Sequence, residues 1–365
     1  MIADAYFAGQ RGTTVLDYAH GESLFTALSQ GGKWLIVADF DEMIRGWKFD
    51  ALFKESVPSP HEASSKQFDE IWSGPKSSTW RTSLDENGYK AAVRATREAV
   101  AEGTVYQANI CRVLSTDLSS PQSPRLLSRR LASGNPAPYQ GYAHVESDNP
   151  EERLWLASAS PELFIRITQS DHGHVIESSP IKGTAKDTSG LTAKDEAENV
   201  MITDLVRNDI SPLCTPGTVA VRDFLHVESH PGLVHLVSTV EGHIREDILG
   251  TNFWKHVFSS TFPPGSVSGA PKSSALSLIK ELETHKRGPY CGAFGWVDAD
   301  DNTATLAVGI RTFWWDEDCE HCLTPSLHFG TGAGITWGSD PDKEWLETEL
   351  KAERLVSLAS RQEES

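Results

Sequence analysis

The sequence is short of cysteine, of positive charge and of long apolar runs. Five scattered cysteines in 365 residues exclude a disulfide-built scaffold and favour a reducing compartment. Lysine and arginine number 33 against 51 acidic residues, so the formal net charge is -18 and nucleic-acid binding is not expected. No stretch reaches the ~18 apolar residues of a membrane helix, and the first residues lack a signal-peptide pattern. We therefore expect a cytoplasmic protein with neither a membrane nor a nucleic-acid partner.

One tetrapeptide, CEHC, has the spacing of a metal-binding cysteine pair. It contains Cys319, His321 and Cys322, and His328 follows a few residues later. A structural zinc site needs about four ligands, and no second pair follows at the spacing of a zinc finger. We expect a loop with two free thiols, and structural zinc is the alternative.

Helical and strand patterns alternate along the chain. Apolar residues recur at helical spacing in residues 85–103, 192–210 and 340–360. Strands are predicted for WLIVADF, YQANICRVLSTDL, WLASASPELFIRI, VHLVSTVEGHI, CGAFGWVDA, TATLAVGIRTFWW and LHFGTGAGIT, with DADDN as a hairpin turn. Hairpins interleaved with helices indicate a mixed α/β, or α+β, fold with mostly antiparallel sheets.

Two of the predicted helices carry carboxylates on one face. Asp195 and Glu198 are three residues apart, and Glu344, Glu347 and Lys351 follow at spacings of three and four. Two such helices can hold one divalent cation, and oxygen-only ligation suits Mg²⁺. Two solvated helix faces are the alternative.

Two glycine-rich segments and one arginine point to an anionic ligand. GTGAGIT and FPPGSVSGAPK can present backbone N–H groups to an anion, although tight turns explain them equally well. GTGAGIT lacks the third glycine of the dinucleotide fingerprint. Arg311 ends the apolar strand LAVGIRTF, so its guanidinium either pairs with a protein carboxylate or is held for a carboxylate of a ligand.

A set of motifs resembles, in order and spacing, the chorismate-utilising enzymes. The motifs are PIKGT, KDEAENVMITDLVRND, HLVSTVEG, FPPGSVSGAPK, RGPYCGAFGW, GIRTF, GAGI and EWLETELKA. That family includes anthranilate synthase component I, aminodeoxychorismate synthase component I, and the isochorismate and salicylate synthases. The resemblance covers residues 85–359, the expected chorismate-binding catalytic domain, and residues 1–80 match loosely as part of the same fold. It implies a single large domain of two stacked, mostly antiparallel sheets flanked by helices.

The resemblance implies Mg²⁺ between the two carboxylate helices. Glu198 and Glu347 would be its closest ligands, and Asp195 and Glu344 would act nearby or through water. The ion would hold the ring carboxylate of chorismate, because a dianion needs a bridging cation to approach acidic helices. Lys351 would contact the same carboxylate.

The resemblance also implies a second carboxylate site. Tyr290 and Arg311 would hold the enolpyruvyl carboxylate of chorismate. The backbone N–H groups of Gly332, Ala333 and Gly334 would assist them.

Two further residues match catalytic groups of the family. Glu162 of SPELF matches the general acid that protonates the leaving C4 hydroxyl, a role that contributes roughly 100- to 10,000-fold. His235 of VHLVS matches a histidine placed near the ring, and a histidine simply hydrogen-bonded within the sheet is the alternative.

Two positions indicate the member of the family. Gln107 stands where the water-using members carry a lysine, and its amide cannot act as a base, so ammonia is the expected nucleophile. Lys182 stands in PIKGT, as in aminodeoxychorismate synthases, whereas anthranilate synthases read PIAGT. We therefore expect an aminodeoxychorismate synthase component that makes 4-amino-4-deoxychorismate for p-aminobenzoate and folate. Anthranilate synthase component I and a non-catalytic chorismate-binding subunit are the alternatives.

The chemistry implied for Lys182 is covalent. Its neutral amine would attack C2 as the C4 hydroxyl leaves, and ammonia would then add at C4 and expel the lysine. Burial beside cations would lower the pKa of Lys182 from its usual ~10.4. A purely electrostatic lysine is the alternative.

The expected source of ammonia is a separate glutamine amidotransferase subunit. A glutaminase nucleophile needs a cysteine in a GxCxG setting, and none of the five cysteines has it.

Overall fold

The computed structural model describes residues 1–41, 43–55, 71–185, 187–230, 233–317, 322 and 324–361. Cys319 and His321 of the CEHC tetrapeptide lie outside these ranges. Within them, no helix combines the length and the apolar character that a membrane crossing requires.

The helices of the described ranges are α1 Gly21–Leu28, α2 Glu86–Ala101, α3 Pro124–Gly134, α4 Ala193–Ile210, α5 Phe253–Thr261, α6 Lys272–Leu282 and α7 Pro341–Ala359. The strands are β1 Ile2–Phe7, β2 Gln10–His20, β3 Lys33–Ala38, β4 Ile44–Phe49, β5 Phe53–Lys54, β6 Arg81–Thr82, β7 Gln107–Asp117, β8 Tyr139–Glu146, β9 Leu154–Ser160, β10 Leu163–Ser170, β11 Gly173–Ser179, β12 Ile181–Ala185, β13 Ala220–His230, β14 Leu233–His243, β15 Gly269–Ala270, β16 Ala293–Asp298, β17 Thr303–Val308, β18 Thr312–Asp316 and β19 Ser326–Ile335.

The three helices predicted from periodicity begin where their capping residues indicate. The Asp85 side chain accepts a hydrogen bond from the Gly88 N–H at 2.8 Å and starts α2. Thr192 and Asp195 form a reciprocal capping box at the start of α4. Asp340 caps α7. Each cap satisfies N–H groups that have no partner within the helix.

The strands form two sheets that share β2, and all the ladders among the described strands are antiparallel. The first sheet has the order β6–β7–β19–β18–β9–β8–β1–β2–β5, with β15 also on β7. The second has the order β2–β4–β3–β16–β17–β10–β11–β14–β13, with β12 following β11 along β14. This confirms the predicted α+β fold.

An apolar layer joins the two sheets face to face. Phe7 and Leu156 come from the first sheet, and Val37, Trp47 and Phe294 come from the second, and all five are almost completely buried. Burying a side chain of this size stabilises the fold by roughly 1.5–3 kcal/mol. Helix α7 packs on β19 of the first sheet, and α4 packs on β12 and β14 of the second.

Two segments predicted as single strands are each broken into two, which corrects the prediction. WLASASPELFIRI forms β9 and β10, because Pro161 between them cannot donate a backbone hydrogen bond. TATLAVGIRTFWW forms β17 and β18, with a break at Arg311, whose φ is +53°. β9 pairs with β18 in the first sheet, and β10 pairs with β17 in the second. The chain therefore crosses between the sheets at Glu162 and again at Arg311.

Candidate active site

The two crossovers open onto a cavity of about 560 Å³. Most of the predicted site residues line it, namely Glu162, Lys182, Asp195, Glu198, His235, Tyr290, Arg311, Gly332, Gly334, Glu347 and Lys351. Three predicted residues do not line it, namely Gln107, Ala333 and Glu344, which are all buried. The fold thus gathers side chains that are far apart in the sequence.

The carboxylate wall consists of Glu198 from α4 and of Glu344 and Glu347 from α7; Glu198 and Glu347 line the cavity, and Glu344 is buried beside them. Lys194 lies between the helices, with its Nζ 3.6 Å from Glu198 and 3.3 Å from Glu344. Burial raises the pKa of Glu198, and the negative charges of Glu347 and Glu344 add to this rise, whereas Lys182 and Lys194 oppose it. Burial also acts to raise the pKa of Glu347, but the pairing with Lys351 at 2.6 Å prevails and lowers it.

The carboxylate wall has the donor set that Mg²⁺ requires. Its carboxylates come from two facing helices, and their mutual repulsion is offset by two ammonium groups, that of Lys194 beside Glu198 and Glu344 and that of Lys351 beside Glu347. A divalent cation bound by oxygen ligands would neutralise that repulsion more completely, so the residues fit the ion. Asp195 also lines the cavity, but its Oδ2 accepts bonds from the Thr192 N–H at 2.8 Å and from the Thr192 hydroxyl at 2.6 Å. Its carboxylate is therefore engaged in the helix cap.

The arginine wall consists of Tyr290, Arg311, Gly332 and Gly334. Burial alone lowers the pKa of Arg311. Among the residues that the structure describes, no carboxylate pairs with its guanidinium. A buried guanidinium without a protein anion is costly unless a ligand supplies the negative charge. Of the two alternatives for this arginine, the geometry favours the one held for a ligand.

The glycines of the arginine wall lie inside strand β19, so the interpretation of GTGAGIT as a turn is wrong. Gly332 and Gly334 stand opposite Cys111 and Asn109 of β7. The N–H groups of Cys111 and Asn109 bond Glu283 and Ser268 instead of β19. Gly332–Cys111 and Gly334–Asn109 are therefore non-hydrogen-bonded pairs of the antiparallel ladder. The N–H groups of Gly332 and Gly334 point away from β7, where an anion can reach them.

Ala333 occupies the alternate position of the strand. It pairs with Ile110 of β7 and is 1% exposed within the apolar core. Its N–H points toward β7 and takes part in the strand pairing. Of the three predicted backbone donors, only the N–H groups of Gly332 and Gly334 therefore remain available to an anion.

Lys351 joins the two walls. Its Nζ contacts Glu347 at 2.6 Å and donates to the Gly332 carbonyl at 3.0 Å. A ligand that spans the cavity meets this ammonium group between the carboxylates and the glycine strand.

Glu162 is a buried acid at the first crossover. Burial raises its pKa to about 7, although a hydrogen bond with Ser266 and the charge of Lys182 act in the opposite direction. A carboxyl group with such a pKa retains its proton close to neutral pH and can donate it.

Lys182 enters the cavity from β12. Its Nζ donates to the Ser266 carbonyl at 2.8 Å. Burial lowers its pKa, and the charge of Lys351 adds to this, whereas Glu198, Glu162 and Glu347 oppose it. The predicted direction of the pKa shift is confirmed.

His235 and Gln107 are both buried, but only His235 lines the cavity. His235 lies on β14 and lines the cavity, although it is only 1% exposed. Gln107 is also 1% exposed, and its amide packs against Gly334, where an added Cβ would collide with it. Gln107 therefore packs against Gly334 on the same side of the strand as the Nζ of Lys182.

Two residues of the site were missed in the sequence. Lys194 lies four residues before Glu198 on α4, and this helical spacing was a usable signal. Ser266 contacts both Glu162 and Lys182, but a serine in a glycine-rich loop carries no sequence signal for such a role.

The chain matches the family model for chorismate binding enzymes over residues 48–357. This match spans most of the chain, so the chain belongs to the chorismate-binding enzyme family.

Curated relatives carry the name anthranilate synthase component 1. The protein of Saccharolobus solfataricus is 35% identical over 292 residues, which is 77% of this chain and 64% of that protein. The protein of Thermus thermophilus is 37% identical over 298 residues, which is 78% of this chain and 59% of that protein. The chain thus spans about six tenths of the length of these relatives.

Solved structures share the fold at low identity. Anthranilate synthase component I from Streptococcus pneumoniae has a TM-score of 0.76 at 19% identity, covering 97% of this chain and 92% of that chain. The menaquinone-specific isochorismate synthase of Escherichia coli has a TM-score of 0.75 at 15% identity, covering 98% and 89%.

The curated relatives overturn the expected member of the family. Gln107 indicated only the ammonia-using members, and the choice of aminodeoxychorismate synthase among them rested on Lys182, whereas the relatives named anthranilate synthase component 1 match over almost 300 residues. The predicted 4-amination, with Lys182 as a covalent nucleophile, is therefore wrong. In the structure its amine donates a hydrogen bond to the Ser266 carbonyl.

Proposed function

We propose that this chain performs the anthranilate synthase component I reaction, in which ammonia aminates chorismate at C2. The reaction releases the C4 hydroxyl as water and the enolpyruvyl side chain as pyruvate, so chorismate and ammonia give anthranilate, pyruvate and water. The observation that carries the proposal is the pairing of a carboxylate wall with an arginine wall in one cavity. Kinship with proteins named anthranilate synthase component 1 supports it.

The two walls suit the two carboxylates of chorismate. Arg311 binds the enolpyruvyl carboxylate directly, with Tyr290 and the N–H groups of Gly332 and Gly334 beside it. Glu198, Glu344 and Glu347 would hold Mg²⁺, whose chemistry there is to neutralise the wall and accept the ring carboxylate of the substrate. Lys351, between the walls, contributes a further positive charge.

Glu162 supplies the proton for the departing hydroxyl. Its pKa of about 7 leaves it protonated in a substantial fraction of molecules at neutral pH. Protonation turns a poor leaving group, hydroxide, into water, while the lone pair of ammonia forms the new bond at C2. Gln107 cannot take a proton from water, which favours ammonia as the nucleophile.

Aromatisation then requires a base. A proton leaves C2 of the aminated ring as the enolpyruvyl group departs as pyruvate. His235 lines the cavity and is the residue that we assign to this step. Lys182, held by the Ser266 carbonyl, acts as a cation that stabilises negative charge developing near C4.

A glutamine amidotransferase subunit is the proposed partner. It would hydrolyse glutamine and deliver ammonia to the cavity, and free ammonium salts should replace it in the assay. This proposal rests on the substrate requirement for ammonia and on the absence of a GxCxG cysteine from the sequence.

The test is identification of the products made from chorismate, Mg²⁺ and an ammonium salt. We expect anthranilate by mass spectrometry, and equimolar pyruvate in a coupled assay. Glu162→Gln is the control for contaminating activity. An aminated product that retains its enolpyruvyl group, or isochorismate, would reject the proposal.

A further inference from the structure

A second cluster of ligand-type side chains lies outside the substrate cavity. It consists of His285, Cys322 and His328, whose ligand atoms all lie within 4.8 Å of one another. None of the three lines the cavity described above. They come from three separate segments, namely the loop after α6, the connection between β18 and β19, and β19 itself.

The buried member of the cluster has no hydrogen-bond partner among the described residues. His328 is 1% exposed, and within the part of the chain that the structure describes neither Nδ1 nor Nε2 has a partner. Its ring stacks on Trp314, with centroids 5.2 Å apart and planes 20° apart, and the His285 ring lies 6.3 Å away. Buried polar atoms are nearly always paired, so two unpaired ring nitrogens at one site require an explanation such as a bound ion.

The distances between the three ligand atoms are compatible with metal binding after small side-chain rotations. Around a tetrahedral ion with bonds of about 2.0–2.3 Å, ligand atoms lie about 3.3–3.6 Å apart. Separations of up to 4.8 Å can close to those values by rotation of half-exposed side chains. His285 and Cys322 are both of this kind, whereas His328 is fixed by its packing.

We propose that His285, Cys322 and His328 bind a zinc ion, with the fourth position open to solvent or to a further ligand. Two imidazoles and one thiolate form a donor set that suits Zn²⁺ and excludes Mg²⁺, which prefers oxygen. The proposal revises the expectation of free thiols in CEHC, since the additional ligands come from folding instead of from a second cysteine pair.

The site would have a structural consequence near the substrate cavity. The chain runs from His285 through Arg287 to Tyr290 of the arginine wall. Arg287 is 1% exposed and donates to the Asn109 carbonyl at 2.5 Å and to the Val267 carbonyl at 2.9 Å. A metal bond at His285 would tie this segment to β19 and to the β18–β19 connection, and so stabilise the native state.

The test uses tag-free full-length protein, dialysed against a weak chelator and loaded with Zn²⁺ or Co²⁺. We expect about one equivalent of zinc by elemental analysis. The Co²⁺ form should show visible ligand-field bands together with a near-ultraviolet thiolate-to-cobalt band. Zinc should also raise the melting temperature.

Matched variants locate the ligands. Cys322→Ser should remove the thiolate band and weaken metal affinity at least about tenfold, and His285→Asn should weaken it similarly. Both positions are half-exposed, so these variants should fold. Cys214→Ser removes a buried thiol elsewhere and His256→Asn an exposed histidine on α5, and both should bind like the wild type.

Two results would overturn the zinc proposal. One is wild-type zinc affinity no greater than that of Cys322→Ser and His285→Asn. The other is a cobalt spectrum without a thiolate band, or with one that persists in Cys322→Ser. Neither result bears on the chorismate products, so the two proposals fail independently.

Discussion

The carboxylate wall and the arginine wall of the cavity handle charge in opposite ways. Glu198, Glu344 and Glu347 crowd negative charge between two helices, and Lys194 and Lys351 offset it. Arg311 instead presents one buried positive charge that no carboxylate of the described residues neutralises. In the proposed function, the first wall binds an added cation and the second an added anion.

This difference shows how a strongly acidic chain can bind a dianion. The net charge of -18 repels chorismate on average, but recognition depends on the charges within a few ångströms. At the arginine wall an anion binds directly. At the carboxylate wall an anion needs a bridging divalent ion, so the two carboxylates of one substrate should respond differently to the same perturbations.

The largest expected effect comes from Glu162, which belongs to neither wall. Glu162→Gln should lower kcat roughly 100- to 10,000-fold because the amide cannot protonate the leaving hydroxyl. KM should change little, since both walls remain. In the wild type, kcat should fall as pH rises through about 7, where the Glu162 carboxyl loses its proton. The measurement is kcat against pH at constant free ammonia.

Ser266→Ala serves as the control for that assignment. The Ser266 hydrogen bond lowers the pKa of Glu162, so its loss should raise that pKa. The fall of kcat at high pH should then occur at a higher pH than in the wild type. If this fall of kcat occurs at the wild-type pH in Ser266→Ala, or is still present in Glu162→Gln, the role of Glu162 as the general acid is contradicted.

An intermediate effect is expected at the arginine wall. Arg311→Met removes a charged hydrogen-bonding group worth about 1.5–3 kcal/mol, so KM for chorismate should rise roughly 10- to 150-fold. The dependence on Mg²⁺ should be unchanged, because the carboxylate wall is intact. Steady-state kinetics at several Mg²⁺ concentrations test this, and an altered Mg²⁺ requirement would mean that the walls are not separate.

The smallest effect is expected from Lys194. Its ammonium pairs with Glu198 and Glu344 where a divalent ion would bind. Lys194→Met should therefore tighten Mg²⁺ binding, by at most about fivefold, because a half-exposed pair is worth up to about 1 kcal/mol. Calorimetric titration with Mg²⁺ measures the change, and weaker binding in the variant would show that Lys194 supports the site.

Local patterns in the sequence were sufficient to predict most elements. The apolar periodicity of residues 85–103 and 192–210 predicted α2 and α4, and both helices form. Arg311 was predicted to end a strand, but the change of sheet at Pro161 and at Arg311 was missed, because apolar alternation continues across both positions. Those breaks put Glu162 and Arg311 at the cavity, so the errors in strand prediction fall at functional positions.

The candidate site was predictable only as far as local spacing and resemblance reach. The spacing of Glu344 and Glu347 placed them on one helix face, but the bridging role of Lys194 depends on how α4 meets α7. The inference from Lys182 failed because one side chain in a shared cavity does not determine the product. His285 had no sequence signal, since folding alone brings it beside His328.

The most direct test of the two-wall account is chorismate binding measured by calorimetry without ammonium, with and without Mg²⁺. The account predicts that Mg²⁺ tightens binding in the wild type and, by a similar factor, in Arg311→Met, but not in Glu198→Gln. An equal gain in Glu198→Gln, or no gain in the wild type, would contradict it.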